Sequence, residues 1–289
     1  MVRRARDALA RDMICVTLLM AQRGHLKAHL ESVPDALLEP AALGRGAGVR
    51  VAIIDSGIDG THPDITAPIT RSVRVVTRPR KRPTVVPSEP VDPAGHGTAC
   101  ADIVGNLAPE VELWNVCALG PDCRGSAAAL LTALEWAIGE GAQVINLSLG
   151  TRDPGLANPL RSLVDAAYRK SLLIVAAANN VPGVHSYPAV FSSLVCVDAE
   201  YLPDREDFRF RPGDVSELRA PGVYVDAAWP GGGRKLVTGT SFACPHVSGH
   251  IARVVSANPG IEPFQIKTLL YAMGKRNQLR ADRATSGES

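Results

Sequence analysis

The chain has 289 residues, 46% hydrophobic and 21% charged, with 31 Lys and Arg against 29 Asp and Glu for a formal net charge of +2. That is the balance of a soluble globular protein with room for one large, well-buried domain, and it carries no strong field that would draw in nucleic acid or a membrane surface. Its cysteines, Cys15, Cys100, Cys117, Cys123, Cys196 and Cys244, fit no zinc-ligand spacing and are too sparse for a disulfide scaffold, so they read as reduced thiols.

In chain order, residues 1–46 form an Arg- and Leu-rich segment ending in the glycine-broken GRGAG, read as a short prosegment or an extension. Its apolar run, Met13 to Ala21, is too short to span a bilayer, follows Asp7 and Asp12, and has no small-residue cleavage site. The expected setting is therefore cytoplasmic, with secretion as the alternative. The main domain is expected over residues 47–275. It opens with VRVAIID, a β-branched run ending at Asp55 and suited to a strand buried on both faces; VELWNVCAL, AQVINLSL and SLLIVAAA repeat the texture. GTACADIVGNL, SAAALLTALEWAIGE and NPLRSLVDAAYRK, between these runs, have helical patterning. Strands alternating with helices of this length predict an α/β fold, a parallel sheet with helices on both faces. The basic RSVRVVTRPRKRP, residues 71–83, reads as a solvated surface loop, and residues 276–289 as a polar, frayed tail.

In such a sheet, functional side chains gather at the carboxyl ends of strands. The first strand ends in Asp55-Ser56-Gly57, His96 stands between two glycines at a helix start, and SLLIVAAANN ends in Asn179-Asn180. LVTGTSFACPHVSGHIARVV halts at Gly239-Thr240-Ser241 before a helix in which Pro245 requires an early position. Ser241 is thus expected at a helix N-terminus, where free N–H groups and the helix dipole stabilise a developing oxyanion. Singly, these are a turn aspartate, a structural histidine, a turn amide and an N-cap serine. Together they supply the nucleophile, base, orienting acid and oxyanion donor of an acyl-transfer site.

VAIIDSGIDGTHPDI, GHGTACADI, SLLIVAAANN and LVTGTSFACPHVSG resemble the signature segments of the subtilisin-like serine proteases, in that family's order of Asp, His and Ser, over about residues 48–273. The resemblance implies a three-layer α/β/α fold with a mostly parallel central sheet and a serine endopeptidase, with peptide maturation as the role it suggests. It assigns Ser241 as nucleophile, His96 as general base and acid, Asp55 as the carboxylate that fixes the imidazole tautomer, and Asn180 as oxyanion donor beside the Ser241 N–H. Ser148, Leu149 and Gly150 resemble the strand that walls the primary specificity pocket, Cys123, Arg124 and Gly125 fall where the opposite edge strand lies, and Ser186 aligns near the pocket base. Asn179 stands where the family usually has glycine; asparagine tolerates positive φ, which leaves open which asparagine faces the oxyanion. Cys100, one helical turn after His96, resembles the thiol-containing branch of the family, while Cys244 reads as packing.

Where secreted members insert a calcium loop, this chain has Gly105-Asn106-Leu107, with one side-chain oxygen, so no metal or other cofactor is expected. The expected partner is a peptide or protein substrate, with no nucleic acid and no membrane, and the chain is expected to be a monomer. Arg124 suggests a preference for acidic side chains a few residues before the scissile bond. Two alternatives use the same residues: a peptide ligase or macrocyclase working through the same acyl-enzyme, and a non-catalytic peptide-binding homologue.

Overall fold

The computed structural model describes residues 43–286, with side chains to residue 283; the expectations for residues 1–42 lie outside the described residues. The buried apolar runs form a nine-stranded sheet built from β1 (Arg50–Asp55), β2 (Ile69–Val76), β3 (Thr84–Pro87), β4 (Glu112–Cys117), β5 (Val144–Leu147), β6 (Leu173–Ala177), β7 (Val195–Glu200), β8 (Arg209–Phe210) and β9 (Leu218–Pro221). Their order is β3-β2-β4-β1-β5-β6-β7-β9-β8. Pairing is parallel from β2 to β9, with antiparallel β3 and β8 at the edges. A separate hairpin pairs β10 (Val225–Trp229) with β11 (Gly233–Val237).

Among the described residues five α-helices cover the sheet: α1 (His96–Leu107), α2 (Ala127–Glu140), α3 (Ala157–Arg169), α4 (Thr240–Ala257) and α5 (Pro263–Ser286). Strand β1 shows why both faces need cover. Val51 and Ile53 join Cys100, Val104, Val247 and Ile251 of α1 and α4 in one core, whereas Ala52 and Ile54 join Leu134 of α2 and Leu160 and Val164 of α3 in the other. Each fully buried Val, Leu or Ile contributes about 1.5–3 kcal/mol relative to exposure, so the two cores fix the register of every central strand. Among the described residues no helix is long and apolar enough to cross a membrane.

The structure corrects two readings of polar stretches. Part of the basic segment is not a loop: Arg71–Val76 belong to β2, and Arg71 pairs with Glu140 while lying 4.7 Å from the Trp114 ring centre. The supposed frayed tail continues α5, because its polar side chains find partners. Asn277 Nδ2 donates to Phe208 O (3.1 Å) and Gln278 Nε2 to Asp282 Oδ1 (2.7 Å), one turn on.

Helix α1 runs unbroken through Gly105-Asn106-Leu107, and Asn106 Nδ2 donates to Asp102 O and Oδ1. Acidic groups nearby are engaged within the chain. Asp59 accepts from the N–H and hydroxyl of Thr61 and from Gly231 N. Arg234 of β11 pairs with Asp64, with Asp226 (2.9 Å) and with the buried Asp102 (3.4 Å). With those oxygens already partnered, the thermal unfolding midpoint of an inhibited sample should be the same in excess chelator and in millimolar calcium; a midpoint several degrees higher with calcium contradicts this. Arg234→Ala should cost about 1–3 kcal/mol in chemical denaturation, a figure reduced from the full buried-pair penalty because the guanidinium is one-third exposed.

Candidate active site

Strand β1 delivers Asp55, fully buried, to the carboxyl edge of the sheet. Helix α1 starts beside it because Asp92 ties the preceding turn together. Its Oδ1 accepts from Ser56 Oγ (2.9 Å), Ala94 N (3.0 Å) and Gly95 N (2.9 Å), and its Oδ2 from Thr98 N (2.8 Å) and Thr98 Oγ1 (2.7 Å). Gly97 has to be glycine: a Cβ there would lie 2.1 Å from Gly57 O, so the first turn of α1 can rest directly on the strand end.

The result is that His96 Nδ1 lies 2.8 and 2.9 Å from the two Asp55 oxygens. Asp55 Oδ1 also accepts from Ser56 N (2.7 Å). Facing a carboxylate, Nδ1 donates, so the neutral ring carries its proton there and keeps its lone pair on Nε2. Burial opposes protonation of His96, yet the Asp55 charge and hydrogen bond, with Asp92 behind them, outweigh it and raise the imidazole above its ordinary value of 6.5. The ring rests against Phe242, centroids 5.2 Å apart.

Ser241 is the second residue of α4. Thr240 N–H donates to Asn180 Oδ1 (2.9 Å), and since an N–H can only donate, the Asn180 amide is oriented with Oδ1 toward the helix and Nδ2 away from it. Neither Asn180 Nδ2 nor Ser241 N enters a hydrogen bond among the described residues. Asn179 does not take the positive φ expected of it; its Oδ1 accepts from Val181 N (2.9 Å), so the side chain closes the turn instead. Asn180 is therefore the asparagine tied to Thr240, the residue before the serine.

Pro245 lies inside α4, beyond the first turn, where a proline normally costs a helix about 3 kcal/mol. It has no N–H for the carbonyl four residues back, which is that of Ser241. That carbonyl is taken up from outside the helix: Ser148 Oγ donates to it at 2.7 Å and Cys100 Sγ approaches at 3.6 Å. Ser148 Oγ in turn accepts from Asn146 Nδ2 (2.9 Å), whose Oδ1 accepts from Ser248 Oγ (2.9 Å). Ser241 Oγ donates to Ser148 O (3.1 Å).

Ser148, Leu149, Gly150, Asn180, Ser186 and Ser241 line one cavity of roughly 270 Å³. Thr151, which also lines it, exchanges both backbone hydrogen bonds with Tyr187 (2.9 and 2.7 Å). Cys123, Arg124 and Gly125 line an adjoining cavity of roughly 400 Å³ with Leu149 and Gly150. They form no strand. Cys123 N–H donates to Gly120 O, Cys123 has φ 57°, and Asp122 Oδ1 accepts from Arg124 N, so local turn bonds replace strand pairing there.

Asp92, Ser56, Thr240, Asn146 and Ser248 escaped the sequence reading. For Asp92 a signal existed, an aspartate before Pro93-Ala94-Gly95 with Thr98 two residues past the histidine; the others look like ordinary polar residues until the fold brings them together. The buried Cys100 thiol touches Asp55 Oδ2 (3.8 Å) and Ser148 Oγ (3.4 Å). Burial pushes its pKa well above the usual thiol range, so it stays protonated. Asp55, His96 and Cys100 are the group of potential metal ligands found among the described residues, but the protonated thiol and the Asp55–His96 bond leave them poorly suited to an ion. Cys244 is wholly buried and packs in the sheet–helix core.

The profile of the Subtilase family (Peptidase_S8) matches residues 46–284. Subtilisin BL of Lederbergia lenta is 35% identical over 258 residues, which cover 83% of this chain and 90% of that protein. Among solved structures, Sphericase superposes with a TM-score of 0.67 at 27% identity, covering 78% of this chain and 83% of its own. A cold adapted subtilisin-like serine proteinase gives 0.63 at 26%, covering 79% and 83%. With the matching profile spanning most of its length, this α/β/α chain belongs to the subtilase family and is a serine-type endopeptidase.

Proposed function

We propose that the chain hydrolyses peptide bonds through an acyl-enzyme on Ser241, with His96 as general base and then acid, Asp55 as the group that fixes the histidine tautomer, and Ser241 N and Asn180 Nδ2 as oxyanion donors. The observation that carries this reading is the buried Asp55 carboxylate on His96 Nδ1. It leaves the Nε2 lone pair as the one site for a proton.

Ser241 Oγ, which rests on Ser148 O, turns about its Cα–Cβ bond and attacks the scissile carbonyl carbon as its proton passes to Nε2. The carbonyl π electrons move to oxygen, where the two free N–H donors stabilise them. Asp55 stabilises the imidazolium so formed. The intermediate collapses as Nε2–H protonates the departing amine; water then attacks the acyl carbon as its proton passes to Nε2, and this second intermediate collapses by expelling Ser241 Oγ, which takes that proton back as the acid product leaves. Ser241 is partly exposed, which gives water access and favours hydrolysis over capture by a second amine. A pure peptide binder would have no use for a carboxylate buried against an imidazole.

Ser241→Ala should remain folded but lose labelling by a fluorophosphonate probe and lose peptide cleavage, down to the residual rate left by binding and the oxyanion donors. Cleavage near the wild-type rate would refute the nucleophile. Asn180→Ala should lower kcat about a hundred- to a thousandfold, roughly 3–4 kcal/mol of barrier, the known scale for one such donor, with KM nearly constant; an unchanged kcat would remove Asn180 from the site. Because the base must be neutral, kcat/KM falls as pH drops through the His96 pKa, so its acidic limb should lie above 6.5. Asp92→Asn removes one of the charges that raise it, and the limb should move to lower pH; an unmoved limb contradicts this electrostatic account.

A further inference from the structure

On the protease reading, the side chain just before the scissile bond enters the cavity that opens against Ser241, and the lining of that cavity sets which side chain fits. Of the residues that line it, Arg152 alone is charged. Its guanidinium is exposed and enters no ion pair or hydrogen bond among the described residues. Ser186, near-fully buried at 7% exposure, has a hydroxyl that likewise has no hydrogen-bond partner among the described residues. Gly150 faces it, so close that a Cβ there would lie 3.3 Å from Ser186 Oγ.

Nearby carboxylates are committed elsewhere. Asp153 turns back to accept from Gly155 N (2.8 Å) and lines the adjoining cavity rather than this one. Asp198 and Asp214 lie beyond the 178–186 segment, each 3.6 Å from Arg219. His185, exposed on that same segment, can add only positive charge. A pocket whose lining among the described residues includes one cationic residue without an ion pair, a buried serine hydroxyl without a hydrogen-bond partner and no acidic residue is complementary to a carboxylate side chain.

We propose that this pocket selects an acidic residue, glutamate foremost, immediately before the scissile bond, with Arg152 as the specificity residue and the Ser186 hydroxyl as a second donor to the substrate carboxylate. The pair is solvent-exposed, so the preference is modest and weakens with salt. Matched peptides carrying Glu, Gln, Ala or Lys at that position would be compared by kcat/KM, at low and high salt, with wild type, Arg152→Ala, Arg152→Glu and Ser186→Ala. The expected result is a Glu-over-Lys ratio of about tenfold that shrinks in high salt, largely disappears in Arg152→Ala and inverts in Arg152→Glu. Ser186→Ala should lower cleavage after both Glu and Gln relative to Ala. A wild-type ratio near one, or a ratio that Arg152→Ala leaves intact, overturns the preference while the protease reading stands. Failure to cleave any of the peptides, the Ala reference included, overturns the protease reading and the preference with it.

Discussion

The contact between Asp55 and His96 is the constraint around which this molecule is arranged. A carboxylate with no solvent exposure is stable only where its oxygens are hydrogen-bonded. One partner comes from the next residue, Ser56, and the other from a helix 41 positions along the chain. To bring that helix so close, its first turn must touch the strand end, which Gly97 permits, and the turn before it must be held, which Asp92 does with five hydrogen bonds. The electrostatics follow from the geometry: the same carboxylates that order the turn also raise the imidazole pKa.

The serine side is governed by a backbone defect. Pro245 releases the Ser241 carbonyl from the helix, and an unpaired buried carbonyl would be costly. Ser148 Oγ satisfies it, and the bond joins the first turn of α4 to the residue that begins the cavity wall. Asn146 and Ser248 extend the connection back into α4. A proline that weakens the helix thereby couples the nucleophile's backbone to the surface on which a substrate would lie, and Cys100 packs where the acid, the wall and the serine carbonyl meet.

Much of this was legible in the sequence. The runs ending at Asp55, Leu147 and Ala177 read correctly as doubly buried strands because parallel pairing leaves them no polar face, and Asp55, His96, Asn180 and Ser241 stood out because together, at strand ends and helix starts, they make up the groups that one acyl-transfer site needs. What stayed hidden depends on distance or local competition. Arg234 meets Asp64 across 170 positions, and nothing in either segment announces the pair. At Cys123–Gly125 the Asp122 turn overrides the expected strand, and at residues 276–286 specific side-chain partners make a helix of a stretch whose composition suggested fraying.

The most direct test of the account is the protonation state of His96 in the resting protein, read from the nitrogen-15 and proton NMR signals of its ring. The Asp55 contact requires the neutral ring to be protonated on Nδ1, with a strongly downfield Nδ1 proton, a titration above the ordinary histidine value, and loss of that proton signal in Asp55→Ala. A neutral ring protonated on Nε2, titrating as a free histidine does, would contradict it.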